Sequence, residues 1–141
     1  MTSEEALNRY TKCLASLTAN NLGMLSDHVS TDVQFKDPFH SVNGLTKMEG
    51  VFRHLFEQVD NLEYKTFDPA MAQNGGFFRW HLRAKLSGKP WSVEGVTYVT
   101  FDANQKISQH IEYWDAASQL YERFPIIGSL LAFFRRRIAK T

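Results

Sequence analysis

The sequence predicts an α+β domain, with helices first and a meander of long antiparallel strands after them. Two observations carry this. Apolar residues recur at helical spacing through the first part of the chain, and from residue 62 the apolar period changes to two. Turn signals such as Asn74-Gly75-Gly76 and Ser87-Gly88-Lys89-Pro90 separate the later runs.

The elements follow in order. Thr2 and Glu5 have capping-box spacing, and Leu7, Tyr10, Leu14 and Leu17 then recur on one helical face. Asn20-Asn21 breaks that helix, and Leu22, Leu25 and His28 mark a short second one. Val33–Asp37 reads as a short strand with Val33 and Phe35 on one face, ended by Pro38. Asn43-Gly44 makes a turn. Thr46 and Glu49 form a second capping box before Met48, Val51, Phe52, Leu55, Phe56 and Val59, an amphipathic helix. Leu62–Phe67 is a strand. Phe78, Trp80, Leu82, Ala84 and Leu86 alternate with polar partners as the inner face of the next. Trp91, Val93, Gly95, Thr97, Val99 and Phe101 form the following inner face, and Lys106–Trp114 is the last strand. Asp115 caps a helix running through Leu120 and Tyr121 to Phe124, and an apolar-basic segment spans Ile126 to Lys140. A curved sheet over an amphipathic helix leaves a cleft, where a ligand would sit.

Length and composition set the bounds. The chain has 141 residues, 43% of them hydrophobic, which fits one domain with an ordinary core. The lone Cys13 allows no internal disulfide, so a reducing, cytoplasmic setting is expected. No run of about 18 apolar residues is present to span a bilayer. Residues 1–120 carry a net charge of −3, which argues against nucleic acid as a partner, whereas residues 121–141 carry +4.

Several residues are candidates for chemistry. Phe35-Lys36-Asp37-Pro38-Phe39-His40 sets a carboxylate at a strand end beside an imidazole. Apolar neighbours strip water from Asp37, which suits a general base; the other reading is an Asp-Pro turn former. Strand alternation sets His110, Glu112 and Trp114 on one face and Ile107, Ile111 and Tyr113 on the other. Either face could turn inward, and the pattern leaves that open. Tyr10 lies on the apolar stripe of the first helix, a core residue unless its hydroxyl faces the cleft. Trp80 is a wall residue or a stacking platform. No metal-ligand spacing and no phosphate-binding or nucleophile motif is present, so neither metal nor cofactor is expected. The basic tail reads either as a helix docked on the domain or its partner subunit, or as an interfacial helix on anionic membrane through residues 126–140.

Together these features resemble the nuclear-transport-factor-2-like superfamily, over roughly residues 4–115. The resemblance rests on Arg9-Tyr10, on Phe35-x-Asp37-Pro38 with Gly44 after it, and on Tyr98-x-x-Phe101-Asp102 before Lys106-Ile107. His110-x-Glu112-Tyr113-Trp114-Asp115 is similar to the ending of SnoaL-like proteins. The resemblance implies a cone-shaped α+β barrel, with N-terminal helices packed on a strongly curved antiparallel sheet. The domain would be residues 1–115, with 116–141 as a C-terminal helical tail, and homodimers are implied.

By resemblance to ketosteroid isomerases, Asp37 matches the proton-shuttling base and Tyr10 the oxyanion-hole tyrosine. Thr97 stands where those enzymes carry a second, acidic donor. The pocket wall would include Trp80, Leu82, Val93, Thr97, Val99, His110, Glu112 and Trp114, with His40 near the ligand. The implied function is proton transfer on a small apolar carbonyl compound, as in isomerases and SnoaL-like cyclases, with His110 and Tyr10 holding the oxygen and Glu112 orienting His110 or serving as a second acid. A non-catalytic ligand-binding or protein-interaction module of the same fold is the alternative.

Overall fold

The computed structural model describes residues 1–120 and 127–139. Helix α1 (Ser3–Ser16) leads through a 3-10 turn (Leu22–Asp27) to β1 (Val29–Lys36), β2 (Ser41–Asn43) and helix α2 (Leu45–Gln58). Strands β3 (Val59–Met71), β4 (Gly76–Leu86), β5 (Lys89–Phe101) and β6 (Ile107–Tyr113) follow, then helices α3 (Ala116–Gln119) and α4 (Ile127–Ala139). The expected α+β architecture is present, a curved six-stranded sheet with the N-terminal helices packed on it.

Helix α1 starts at the expected capping box, with Thr2 Oγ1 accepting from the Glu5 backbone and the Glu5 carboxylate accepting from Thr2 N–H. The second expected box does not form. Gly44 caps α2 from a positive φ of 103°, a conformation that favours glycine, and no side chain bonds the cap. Strand β2 falls where the sequence shows only a turn. It is three residues long and exists because the Asp37–His40 turn folds the chain back on β1.

The sheet order is β2-β1-β6-β5-β4-β3. All neighbours are antiparallel except β1 and β6, which pair in parallel with Phe35 opposite His110. The meander β3–β6 is antiparallel as expected, and the first strand closes in parallel against the last, a contact that no local pattern encodes. Strand β3 runs well beyond Leu62–Phe67 and shifts register twice against β4, between Asp60 and Glu63 and between Phe67 and Ala70. Asn61 and Asp68 take positive φ at these bulges, which bend the strand.

Strand β6 carries a further correction. A register shift against β5 pairs Phe101 with Ile107 and Thr100 with Gln109. The extra residue puts Ile107 on the same inner side as His110, and both are fully buried. Simple alternation had assigned them to opposite faces.

The core joins Leu7, Tyr10 and Leu14 of α1 and Met48 of α2 to Phe78, Trp80, Leu82, Val93 and Val99 of the sheet. Gly95 is a close approach, because a Cβ there would sit 2.7 Å from Trp80 Cζ2 and 2.6 Å from the Tyr113 carbonyl oxygen. Asp115 caps α3 through Ser118 N–H, as expected, but the helix ends at Gln119, and the predicted continuation to Phe124 lies outside the described residues. Helix α4 packs on α3 and leaves Leu130, Phe133, Phe134 and Ile138 exposed.

Candidate functional site

A cavity of about 350 Å³ opens between α2 and the concave sheet. Phe52, Leu55 and Val51 of α2 face Tyr64, Trp80, Leu82 and Val93 across it, and Leu14 of α1 with Leu17 at the helix end closes one side. This size and apolar lining suit a small molecule. The polar side chains on its wall include Asp37, His40, Tyr64 and Glu112.

Asp37 follows β1 and Glu112 lies in β6. The parallel pairing of Lys36 with Ile111 brings the two carboxylates side by side at the cavity wall. Asp37 is held firmly. Its Oδ1 accepts from the backbone N–H of Phe39 at 2.8 Å and of His40 at 2.6 Å. His40 Nδ1 lies 2.9 Å from Oδ1 and 3.0 Å from Oδ2. Asp37 thus forms the turn, and it also lines the cavity. When Nδ1 carries the proton, His40 Nε2 is left as a basic lone pair beside the cavity.

Glu112 is fixed by a buried chain. Tyr10 Oη lies 2.7 Å from His110 Nδ1, and His110 Nε2 lies 3.0 Å from Glu112 Oε1. With the imidazole proton on Nε2, Tyr10 O–H donates to Nδ1 and His110 donates to the carboxylate, so all three groups are satisfied. Phe35 stacks on the imidazole at 5.1 Å between ring centroids. Burial pushes the Tyr10 phenol well above its ordinary value, with smaller contributions from Cys13 and Glu112.

The residues carried over by resemblance divide into two groups. Asp37, His40, Trp80, Leu82, Val93, Glu112 and Trp114 line the cavity. Tyr10, His110, Thr97 and Val99 are fully buried behind its wall. Both imidazole nitrogens of His110 are engaged, and the Tyr10 hydroxyl is bound to one of them. Neither is positioned to meet an oxygen of a ligand in the cavity. Thr97 Oγ1 is buried without a hydrogen-bond partner among the described residues, as is Trp80 Nε1.

Tyr64 is the cavity residue that sequence reasoning missed. Its hydroxyl makes no hydrogen bond to the described residues, and its ring tilts against Trp80 at 5.8 Å. Burial, then the charge of Glu112, raises its phenol well above the ordinary range, so it stands as a proton-bearing donor. The signal was present in the period of two through Leu62, Tyr64 and Thr66. From α2 the cavity takes the apolar stripe together with the polar His54 and Gln58.

Fold and site together define a cone-type α+β protein with an apolar cavity that carries carboxylate, imidazole and phenol side chains on its wall. The chain belongs to the SnoaL-like domain family, whose profile matches residues 10–110, within the nuclear-transport-factor-2-like superfamily. It is similar to a hypothetical protein of ketosteroid isomerase-like fold from Catenulispora acidiphila, solved in complex with trimethylamine. The identity is 15%, with 84% of this chain and 92% of that one covered at a TM-score of 0.68. A candidate SnoaL-like polyketide cyclase from a Jannaschia species is 14% identical over 99% of this chain and 93% of its own, with a TM-score of 0.68. An LEH-like epoxide hydrolase from M. tuberculosis is 11% identical over 98% and 96%, with a TM-score of 0.65. These likenesses show the fold. No curated protein matches the sequence.

Proposed function

We propose that this protein is an isomerase- or cyclase-like enzyme that moves a proton on a small apolar carbonyl compound. The observation that carries the reading is the meeting of Asp37, Glu112 and the Tyr64 hydroxyl on one apolar cavity. Asp37 is the base that takes the proton from carbon beside the carbonyl. The Phe39 and His40 amides and the His40 ring keep its carboxylate in one orientation. Tyr64 donates to the oxygen where negative charge develops, a role that a water-poor cavity strengthens. Glu112, oriented by His110 and Tyr10, is the second acid-base group on the same wall.

The experiment is carbon-bound hydrogen exchange of small cyclic ketones in deuterated water, followed by NMR. Asp37→Asn is expected to slow exchange by about 10²-fold or more, the usual worth of a positioned base. Exchange at the wild-type rate in Asp37→Asn would overturn the assignment.

A second reading, ligand binding without turnover, is favoured by one specific arrangement. The two positions matching the isomerase oxyanion donors, Tyr10 and Thr97, are both buried off the cavity. Saturable ketone binding with no exchange in the wild type would select that reading. The expected homodimer belongs to either reading. Its seat would be the outer sheet face, where the Phe77 and Tyr98 rings lie 4.8 Å apart and Tyr113 is exposed.

A further inference from the structure

Helix α4 lies outside the family match, and none of its described side chains lines the cavity. Its sequence carries three arginines, Arg135, Arg136 and Arg137, and no acid. Leu130, Phe134 and Ile138 recur every four residues and form one stripe along the helix. They are 55%, 53% and 83% exposed, and Phe133 beside them is 48% exposed. An aromatic and aliphatic stripe this open is more than an isolated surface residue. The Arg137 guanidinium sits over the Phe133 ring at 5.7 Å, so a cation borders the apolar stripe directly.

We propose that α4 is a membrane-surface helix that lays Leu130, Phe133, Phe134 and Ile138 into the headgroup region of an anionic phospholipid bilayer. Arg136 and Arg137 meet lipid phosphates while the stripe enters the acyl boundary, the arrangement that amphipathic basic helices use. The helix lies along the surface rather than across it. Thirteen residues span only about 20 Å against roughly 30 Å of hydrocarbon. No helix among the described residues is long and apolar enough to cross a membrane. The stated partner is anionic because α4 pairs its exposed apolar area with arginines and carries no acid.

The attachment has a consequence for the cavity. Helix α4 packs on α3, whose Gln119 carbonyl accepts from Trp91 Nε1 at 2.7 Å, and Trp91 and Leu120 line the cavity. A bilayer that holds α4 therefore lies near one rim of the cavity. This proposal stands apart from the reaction assigned to Asp37, since a binding protein and an enzyme would use the same anchor.

The test is flotation of the full chain with phosphatidylcholine vesicles, with and without about one-third phosphatidylglycerol. The wild type is expected to float with the mixed vesicles, and about tenfold less with phosphatidylcholine alone or in about 0.5 M salt. Leu130→Glu with Phe134→Glu should abolish flotation, and Arg136→Glu with Arg137→Glu should reduce it on the anionic vesicles. Circular dichroism and thermal transitions of these variants should match the wild type, since the altered side chains are exposed. Wild-type protein that stays at the bottom with both vesicle types would overturn the proposal. So would apolar-stripe variants that float unchanged. Light scattering tests the other occupant: an oligomer that the stripe variants dissolve, with no vesicle binding by the wild type, would assign the stripe to a second copy.

Discussion

Two close histidine–carboxylate pairs stand at the cavity, one reaching its wall from the buried core and one beside it; a third, His54 and Glu57, lies exposed at 4.0 Å. His110 and Glu112 form the first, and His40 and Asp37 the second. Their distances are alike, 3.0 Å and 2.9 Å. Their surroundings are not. The His110 side chain is 1% exposed with both nitrogens engaged, whereas the His40 side chain is 39% exposed and uses one. An imidazole with no free nitrogen can only position its neighbours. An imidazole with one free nitrogen can exchange a proton with a ligand. His110 thus holds Tyr10 and Glu112 in place, and His40, beside the Asp37 that the resemblance singles out as base, is the more exposed imidazole.

The strongest way to break this comparison is to remove the buried ring. His110→Ala empties a packed site against Phe35 and leaves the Tyr10 hydroxyl without its partner. A loss of about 2–4 kcal/mol is expected in urea unfolding, from the cavity and the orphaned donor together. A loss below about 0.5 kcal/mol would show that the buried core tolerates repacking and that His110 is not a structural post.

Alkaline pH probes the same region more gently. Tyr10 and Tyr64 hold their protons in the folded state above the ordinary phenol value of 10.0, and the unfolded chain does not. The Cys13 thiol, pushed up to about 11 by burial and then by Asp27, adds the same sign from its ordinary 9.0 upward. A raised folded-state value means that stability is complete below the unfolded value and falls as pH rises through the folded one. Stability should therefore begin to decline above about pH 9 with Cys13 and fall further above about pH 10 with the tyrosines, and Tyr10→Phe with Cys13→Ser should flatten that decline. An unchanged slope in the double variant would remove these two groups as its source.

The smallest effect on stability belongs to the accessible pair. His40→Ala removes a half-exposed ion pair while both backbone donors to Asp37 remain. Less than about 1 kcal/mol should be lost on unfolding. Ketone exchange should nonetheless slow, which separates a chemical role from a structural one.

How much of this was legible beforehand differs by element. Helix α1 and the inner faces of β4 and β5 were readable, because burial on one side imposes a period of 3.6 or 2 on nearby residues. The nearness of Asp37 to Glu112 was not, since it depends on a parallel contact between strands some seventy residues apart. Ile107 was misassigned because a bulge resets the period without changing composition. Tyr64 was readable in principle, since its strand alternates, but an aromatic residue on an inner face does not announce an unbound hydroxyl.

By itself, then, the sequence determined the class of fold, the order of its helices and strands, the turn at Asp37 and the unlike charges of body and tail. These are properties of neighbours along the chain, where spacing and side-chain chemistry act directly. The tertiary structure alone decided which histidine is free and which hydroxyl meets the cavity. It also decided that α4 leaves its apolar stripe open. Those outcomes depend on which distant segments compete for the same space and the same hydrogen bonds, and only the assembled packing resolves that competition.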